Sequence, residues 1–235
     1  MIRGGREEDE ESMGDLLRKS GHSVMMDAKH RAAMGRACTG TGGCRMRILL
    51  LGNSLITANG MPRMLAEITG AEVVCHTRGG ARLAEHLKGN TRLGAKTQAA
   101  LREETWDYVV LQEMSHGPFT ATERFFSSVE RLCSQIRQHG AVPVLYATWA
   151  YEKGGSKLES KGWDYEEMAR AMSAAYGKAA RDNGALLADV GGRFYQLSQG
   201  EQLYAADGVH PNEQGSRLAA ETIGQVILEH KEKVK

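Results

Sequence analysis

Three residues far apart in the chain could together make a nucleophile: Ser54, Asp207 and His210. A serine hydroxyl attacks an acyl carbon only when a base takes its proton, and imidazole has the proton affinity for that task near neutrality. A carboxylate on the other ring nitrogen fixes the tautomer and stabilises the imidazolium. In Asp207-Gly208-Val209-His210 the acid lies one turn before the base. That spacing can bring the carboxylate to Nδ1 and leave Nε2 for Ser54. The serine closes the run Arg47-Ile48-Leu49-Leu50-Leu51-Gly52-Asn53-Ser54, after which the pattern turns polar and helical. Its hydroxyl is therefore expected at the carboxyl edge of a buried strand, where open α/β sheets bind ligands.

Such chemistry also needs fixed donors where negative charge develops. The N–H of Ser54 is one. Gly80, in Gly79-Gly80, can bring another without Cβ obstruction, although the same pair also makes an ordinary turn. The amide of Gln112 reads either as a third donor or as a structural group that pins loops. Asn53, Glu113, His116 and Trp149 are candidates for lining the pocket, because functional side chains gather on loops at strand ends. Glu113 also reads as a loop-orienting carboxylate, and Trp149, like Tyr151, as a packing residue.

The elements that must position these groups alternate. Apolar runs at Met46–Leu51, Glu72–His76, Tyr108–Leu111, Val142–Tyr146 and Ala185–Val190 read as strands. Helical spacing follows Pro62, with further helices at Lys96–Glu104, around Phe125–Ile136 and Met168–Ala179, and after Asn212. Asp189 reads as the end of the fifth strand, fixing a loop. Five buried strands separated by helices predict an α/β fold: three layers, α/β/α, around a five-stranded parallel sheet. Residues 1–45 lack sustained periodicity and read as an N-terminal tail, disordered or weakly helical around Met13–Lys19, ahead of one domain at 46–235.

These motifs also resemble a known family, the SGNH (GDSL-type) hydrolases. The family's Gly-Asp-Ser corresponds to Gly52-Asn53-Ser54. Its terminal Asp-x-x-His corresponds to Asp207-Gly208-Val209-His210, followed by Pro211-Asn212 and Gly215. Its second-motif glycine is best matched by Gly80. The resemblance spans about residues 46–230. It implies a flavodoxin-like sheet and hydrolysis of esters or thioesters without metal or cofactor. Ser54, Asp207 and His210 would be catalytic, and the N–H groups of Ser54 and Gly80 would form the oxyanion hole. The third motif departs: Leu111-Gln112-Glu113-Met114 stands where the family has Gly-x-Asn-Asp. This marks a divergent subgroup in which Gln112 is the nearest amide.

The bulk numbers narrow the partners. A net charge of +1 gives no global field toward nucleic acid or anionic membrane. No apolar run approaches the ~18 residues of a membrane span. Glu7-Glu8-Asp9-Glu10-Glu11 stands where a signal peptide needs an apolar core, so a cytoplasmic protein is expected. Cys75 and Cys133 read as core residues. Cys38 and Cys44 allow a local disulfide or half a metal site, but their spacing does not suit zinc, and no metal is expected. The expected partner is a small-molecule ester with a short acyl group, such as an acetylated carbohydrate. Oligomeric state is not legible. The altered third motif keeps open a catalytically weak or inactive small-molecule or carbohydrate-binding module. A flavodoxin-type nucleotide or flavin binder would need a glycine-rich phosphate loop after the first strand, which Asn53-Ser54-Leu55-Ile56-Thr57 does not supply.

Overall fold

The structure is a computed structural model that describes residues 45–234. The expectations for residues 1–44, including Cys38, Cys44 and the helix near Met13–Lys19, lie outside the described residues. The elements run β1 (Arg47–Gly52), α1 (Ser54–Thr57), a 3₁₀ turn (Ala58–Gly60), α2 (Met61–Thr69), β2 (Glu72–Thr77), α3 (Leu83–His86), α4 (Arg92–Glu103) and β3 (Tyr108–Leu111). They continue α5 (Gly117–Thr120), α6 (Thr122–Gln138), β4 (Val142–Tyr146), α7 (Ser156–Glu159), α8 (Tyr165–Asp182), β5 (Leu186–Ala188), α9 (Val190–Leu197) and α10 (Glu213–Lys233).

All five strands are parallel, in the order β2-β1-β3-β4-β5. Parallel strands need crossovers that cover both faces, which is why β1 is apolar at every position from Ile48 to Leu51. The side chains alternate between two cores. Leu49 and Leu51 join Leu111, Leu145 and the inner faces of α6 and α8. Ile48 and Leu50 join Val110, Val144 and the inner faces of α2, α9 and α10. No helix among the described residues is long and apolar enough to cross a membrane.

The chain winds outward from β1 to β2, then returns across β1 to place β3 on its other side. The strand order reverses between β1 and β3, and a crevice opens beyond the carboxyl ends at such a point. Ser54 stands two residues past Gly52, the last residue of β1, and Gln112 follows β3 directly, whose Leu111 is in register with Leu51.

The expected architecture is observed, with local differences. The fifth strand stops at Ala188 because the Asp189 carboxylate accepts from the Gly192 N–H at 3.0 Å and starts α9, where a loop was expected. Helix α4 begins at Arg92, ahead of the expected Lys96, because Thr91 Oγ1 accepts from the Gly94 N–H. Asn212 caps α10 as its position suggests, accepting from the Gly215 N–H at 2.9 Å.

Candidate active site

Ser54 is the first residue of α1. Asn53 caps this helix: its Oδ1 accepts from the Leu55 N–H at 3.1 Å, and its Nδ2 donates to the Ala81 carbonyl at 3.0 Å. One buried side chain thus aims the serine and ties the Gly79-Gly80-Ala81 loop beside it. Gly52, just before, admits no side chain. A Cβ there would lie 2.4 Å from Gln112 Oε1 and 2.7 Å from Ile56 Cδ1.

The histidine arrives from the far end of the chain. Its loop is clamped by a bridge between Tyr204 and Pro211 and by the Ala205 N–H donating to the His210 carbonyl at 2.8 Å. Asn59 adds a tie that the sequence reading missed. Its Nδ2 donates to the Pro211 carbonyl and to Ser216 Oγ, both at 2.9 Å, linking the segment after Ser54 to the segment after His210. Asn59 holds a left-handed backbone (φ 51°), a conformation asparagine tolerates better than most residues, and Asn-Gly in the sequence was the available signal.

These clamps bring Ser54 Oγ to 2.8 Å from His210 Nε2. His210 Nδ1 lies 2.5 Å from Asp207 Oδ2. A carboxylate can only accept, so Nδ1 carries the proton and the Nε2 lone pair faces the serine hydroxyl. Asp207 Oδ1 also accepts from the N–H groups of Val209 (3.0 Å) and His210 (2.9 Å). Partial burial pushes the Asp207 carboxyl up, but the imidazole and the two backbone donors outweigh it. They hold its pKa below the usual carboxylate range.

Of the expected oxyanion donors, two have the necessary freedom. Among the described residues neither the Ser54 N–H nor the Gly80 N–H donates to another group. Gly80 has φ 66°, a backbone that a Cβ would strain. Gln112 does not join them, which corrects its assignment as a third donor. Its Oε1 accepts from the Asn53 N–H at 3.0 Å, and its Nε2 donates to the Glu113 carbonyl. Both partners are backbone groups of fixed polarity, so the amide cannot be turned round, and the side chain is wholly buried. It acts as a strut between the ends of β1 and β3.

The expected pocket residues divide. Asn53 is buried and structural, as above. Glu113 is likewise withdrawn: its carboxylate accepts from the N–H groups of Leu83 (3.2 Å) and Met114 (2.8 Å). Burial pushes its pKa up. Trp149 is 3 % exposed and stacks on Phe194 at 3.8 Å, so it does not line the space before Ser54. Its Nε1 donates instead to the carbonyl of Val209, at 3.0 Å. Its outer edge reaches a separate groove of about 390 Å³ between α8 and α9, which none of Ser54, Asp207 or His210 lines. His116 is half-buried, within an edge-to-face contact of Tyr151.

A serine, a histidine and an aspartate hydrogen-bonded in series, at the switch point of a flavodoxin-like sheet, have the arrangement of a serine hydrolase. The chain belongs to the GDSL-like lipase/acylhydrolase family, whose model matches residues 50–218. Among solved structures, a protein from Slackia heliotrinireducens assigned to the SGNH hydrolases is 53% identical. The match covers 78% of this chain and 100% of that one, with a TM-score of 0.75. A DUF4886 family protein from Bacteroides uniformis is 21% identical over 79% of this chain and 84% of its own, TM-score 0.63. LAE5, an alpha/beta hydrolase from the Lake Arreo metagenome, is 17% identical over 77% and 94%, TM-score 0.60. The last two show a shared fold. Among curated proteins none matches this chain.

Proposed function

We propose that this protein hydrolyses carboxylic esters with short acyl groups, through an acyl-enzyme on Ser54. The observation that carries this reading is the 2.8 Å contact between Ser54 Oγ and His210 Nε2, backed by Asp207. Ser54 Oγ attacks the acyl carbon as its proton passes to Nε2. Asp207 stabilises the imidazolium, and the N–H groups of Ser54 and Gly80 receive the oxyanion. Collapse of the tetrahedral species breaks the bond to the alcohol oxygen, which leaves with the proton from Nε2. Water then gives a proton to Nε2 and its oxygen to the acyl carbon. The carboxylic acid departs and Ser54 recovers its proton. Acetyl esters of carbohydrates are one substrate class consistent with this reading.

The loss of Gln112 to a structural role favours a second reading. One oxyanion donor is worth ~10²–10³ in rate, so a site with two backbone donors can be slow, or can serve mainly to bind. One experiment separates the readings. Stoichiometric labelling of Ser54 by a fluorophosphonate, with aryl acetate turnover that Ser54→Ala abolishes, supports the hydrolase. Folded protein that neither labels nor turns over is a binding module.

A further inference from the structure

One buried carboxylate has no part in the mechanism above. Glu113 is 3 % exposed and lies just past the end of β3. Its Oε2 accepts from the Leu83 N–H at 3.2 Å, and its Oε1 from the Met114 N–H at 2.8 Å. Gly117, at the start of α5, leaves room for it: a Cβ there would lie 2.7 Å from Glu113 Cγ and 3.0 Å from Oε1. A carboxylate is costly to bury, and both oxygens of this one are spent on backbone donors.

The bond to Leu83 crosses the sheet. In the order β2-β1-β3, Leu83 belongs to the segment after β2 and Glu113 to the segment after β3. The end of β1, which leads into Ser54, lies between them. The oxyanion donor Gly80 sits on the segment so held.

Ala81 and Leu83 are buried, but packing has no hold on the glycine itself. A Cβ on Gly79 or on Gly80 would meet nothing within 4 Å. Apolar burial is also non-directional, so the aim of the Gly80 N–H rests on hydrogen bonds. The Ala81 N–H donates to the Arg78 carbonyl at 3.0 Å, closing the turn in which Gly80 has φ 66°. Two pins tie this turn to other strands. Asn53 Nδ2 holds the Ala81 carbonyl from the end of β1, and Glu113 holds the Leu83 N–H from the end of β3. Glu85, which takes the Arg82 N–H and the Arg78 guanidinium, belongs to the same segment and moves with it. With Gln112 serving as a strut, stabilisation of the oxyanion falls to two backbone donors, whose aim then decides the rate.

We propose that Glu113 is the positioning residue of the oxyanion hole: by holding the Leu83 N–H from across the sheet, it fixes the Gly80 N–H in line with the charge that develops at Ser54. The inference rests on the ester-hydrolase reading and adds to it how the site works without the family's side-chain donor.

Glu113→Gln tests this, because an amide can accept from only one of the two N–H groups and sets its own N–H against the other. A donor misplaced by ~1 Å costs up to ~10²-fold. We expect kcat on an aryl acetate to fall ~10–10²-fold with KM within ~2-fold of the parent, as for an interaction made only in the transition state. The low-field NMR signal of the His210 Nδ1 proton should stay in place while the Gly80 amide signal moves. Gly80→Ala, which strains the same backbone, should add little to the loss in the double variant, since both act on one donor. Leu83→Pro removes the same hydrogen bond from its other end, at a first-turn position that proline suits, and should give the same split if the glutamine variant does not fold. Parental kcat in folded Glu113→Gln protein, an unmoved Gly80 amide, a displaced His210 signal, or losses that multiply in the double variant would overturn the assignment. Parent protein that neither turns over nor labels at Ser54 ends the ester-hydrolase reading alone. The Gly80 amide, read without substrate, then decides whether Glu113 sets that donor.

Discussion

The indole N–H of Trp149 donates to the carbonyl of Val209, the residue immediately before His210, across 3.0 Å. The same ring lies flat on Phe194 of α9, with planes 4° apart, and Phe194 meets Tyr204 edge-on. Tyr204 in turn bridges Pro211. A chain of packed rings therefore sets the height of the histidine loop above the sheet. Trp149→Phe keeps the stack and deletes one hydrogen bond. We predict a stability loss of ~1 kcal/mol, the usual net worth of such a bond. We also predict a larger fractional fall in kcat than in 1/KM, because His210 loses its register with Ser54. Denaturant melts and steady-state kinetics on an aryl acetate check both, and an unchanged kcat would leave the indole with a packing role alone.

Asp207→Asn should preserve the loop while reversing the sense of one hydrogen bond. The amide can present its N–H to Nδ1, which stabilises the tautomer with the proton on Nε2 and removes the base from Ser54. A fall in kcat of ~10²–10⁴ is expected, following the behaviour of buried triad acids. Asp207 here is half-exposed, so the smaller end of that range is favoured. Because its pKa is depressed, its contribution to stability is present above the unfolded carboxyl value and is lost as pH falls through the folded one. Acid-side melts of the Asn variant should therefore show a flatter slope below pH ~4 than the parent.

Gln112→Met distinguishes a strut from an oxyanion donor. The thioether is similar in length but leaves the Asn53 N–H and the Glu113 carbonyl without partners in a buried place. Each orphaned group costs ~1–3 kcal/mol, so the melting temperature should fall markedly. Activity, measured where the variant is still folded, should fall less than the ~10²–10³ expected for loss of a direct donor. A variant of parental stability with a thousandfold rate loss would return Gln112 to the oxyanion hole.

His76 and His86 share Thr97 Oγ1, at 3.4 and 2.9 Å, in the core beside β2. Burial lowers the pKa of each to about 4. Both fold as neutral imidazoles. A histidine whose folded pKa lies below its unfolded value of ~6.5 contributes stability above that value and loses it as pH falls toward the folded pKa. Between pH ~6.5 and ~4 the protein should lose on the order of a few kcal/mol. Urea melts at several pH values check this, and His86→Gln should reduce the slope.

The order of elements and the two ends of the site were legible in the sequence. A short apolar run such as Ile48-Leu49-Leu50-Leu51, closed by a glycine, reads as a strand buried on both faces, and the turn from apolar to polar at Gly52-Asn53-Ser54 marks its edge. Asp207 and His210 were legible because their pairing is local, within one turn of chain. Capping residues such as Asn212 were legible for the same reason, since a cap is satisfied by its own neighbours. Gln112, Trp149 and Glu113 were not. Their sequence neighbours allow either a pocket role or a structural one, and the choice depends on which backbone groups other strands leave unpaired at that point. Gln112 became a strut because β1 ends beside β3 with a free N–H at Asn53 and a free carbonyl at Glu113. Trp149 became a loop support because α9, itself unforeseen, set Phe194 under its ring. Periodicity and local hydrogen bonding belong to the sequence. The satisfaction of polar groups across non-consecutive strands belongs to the fold.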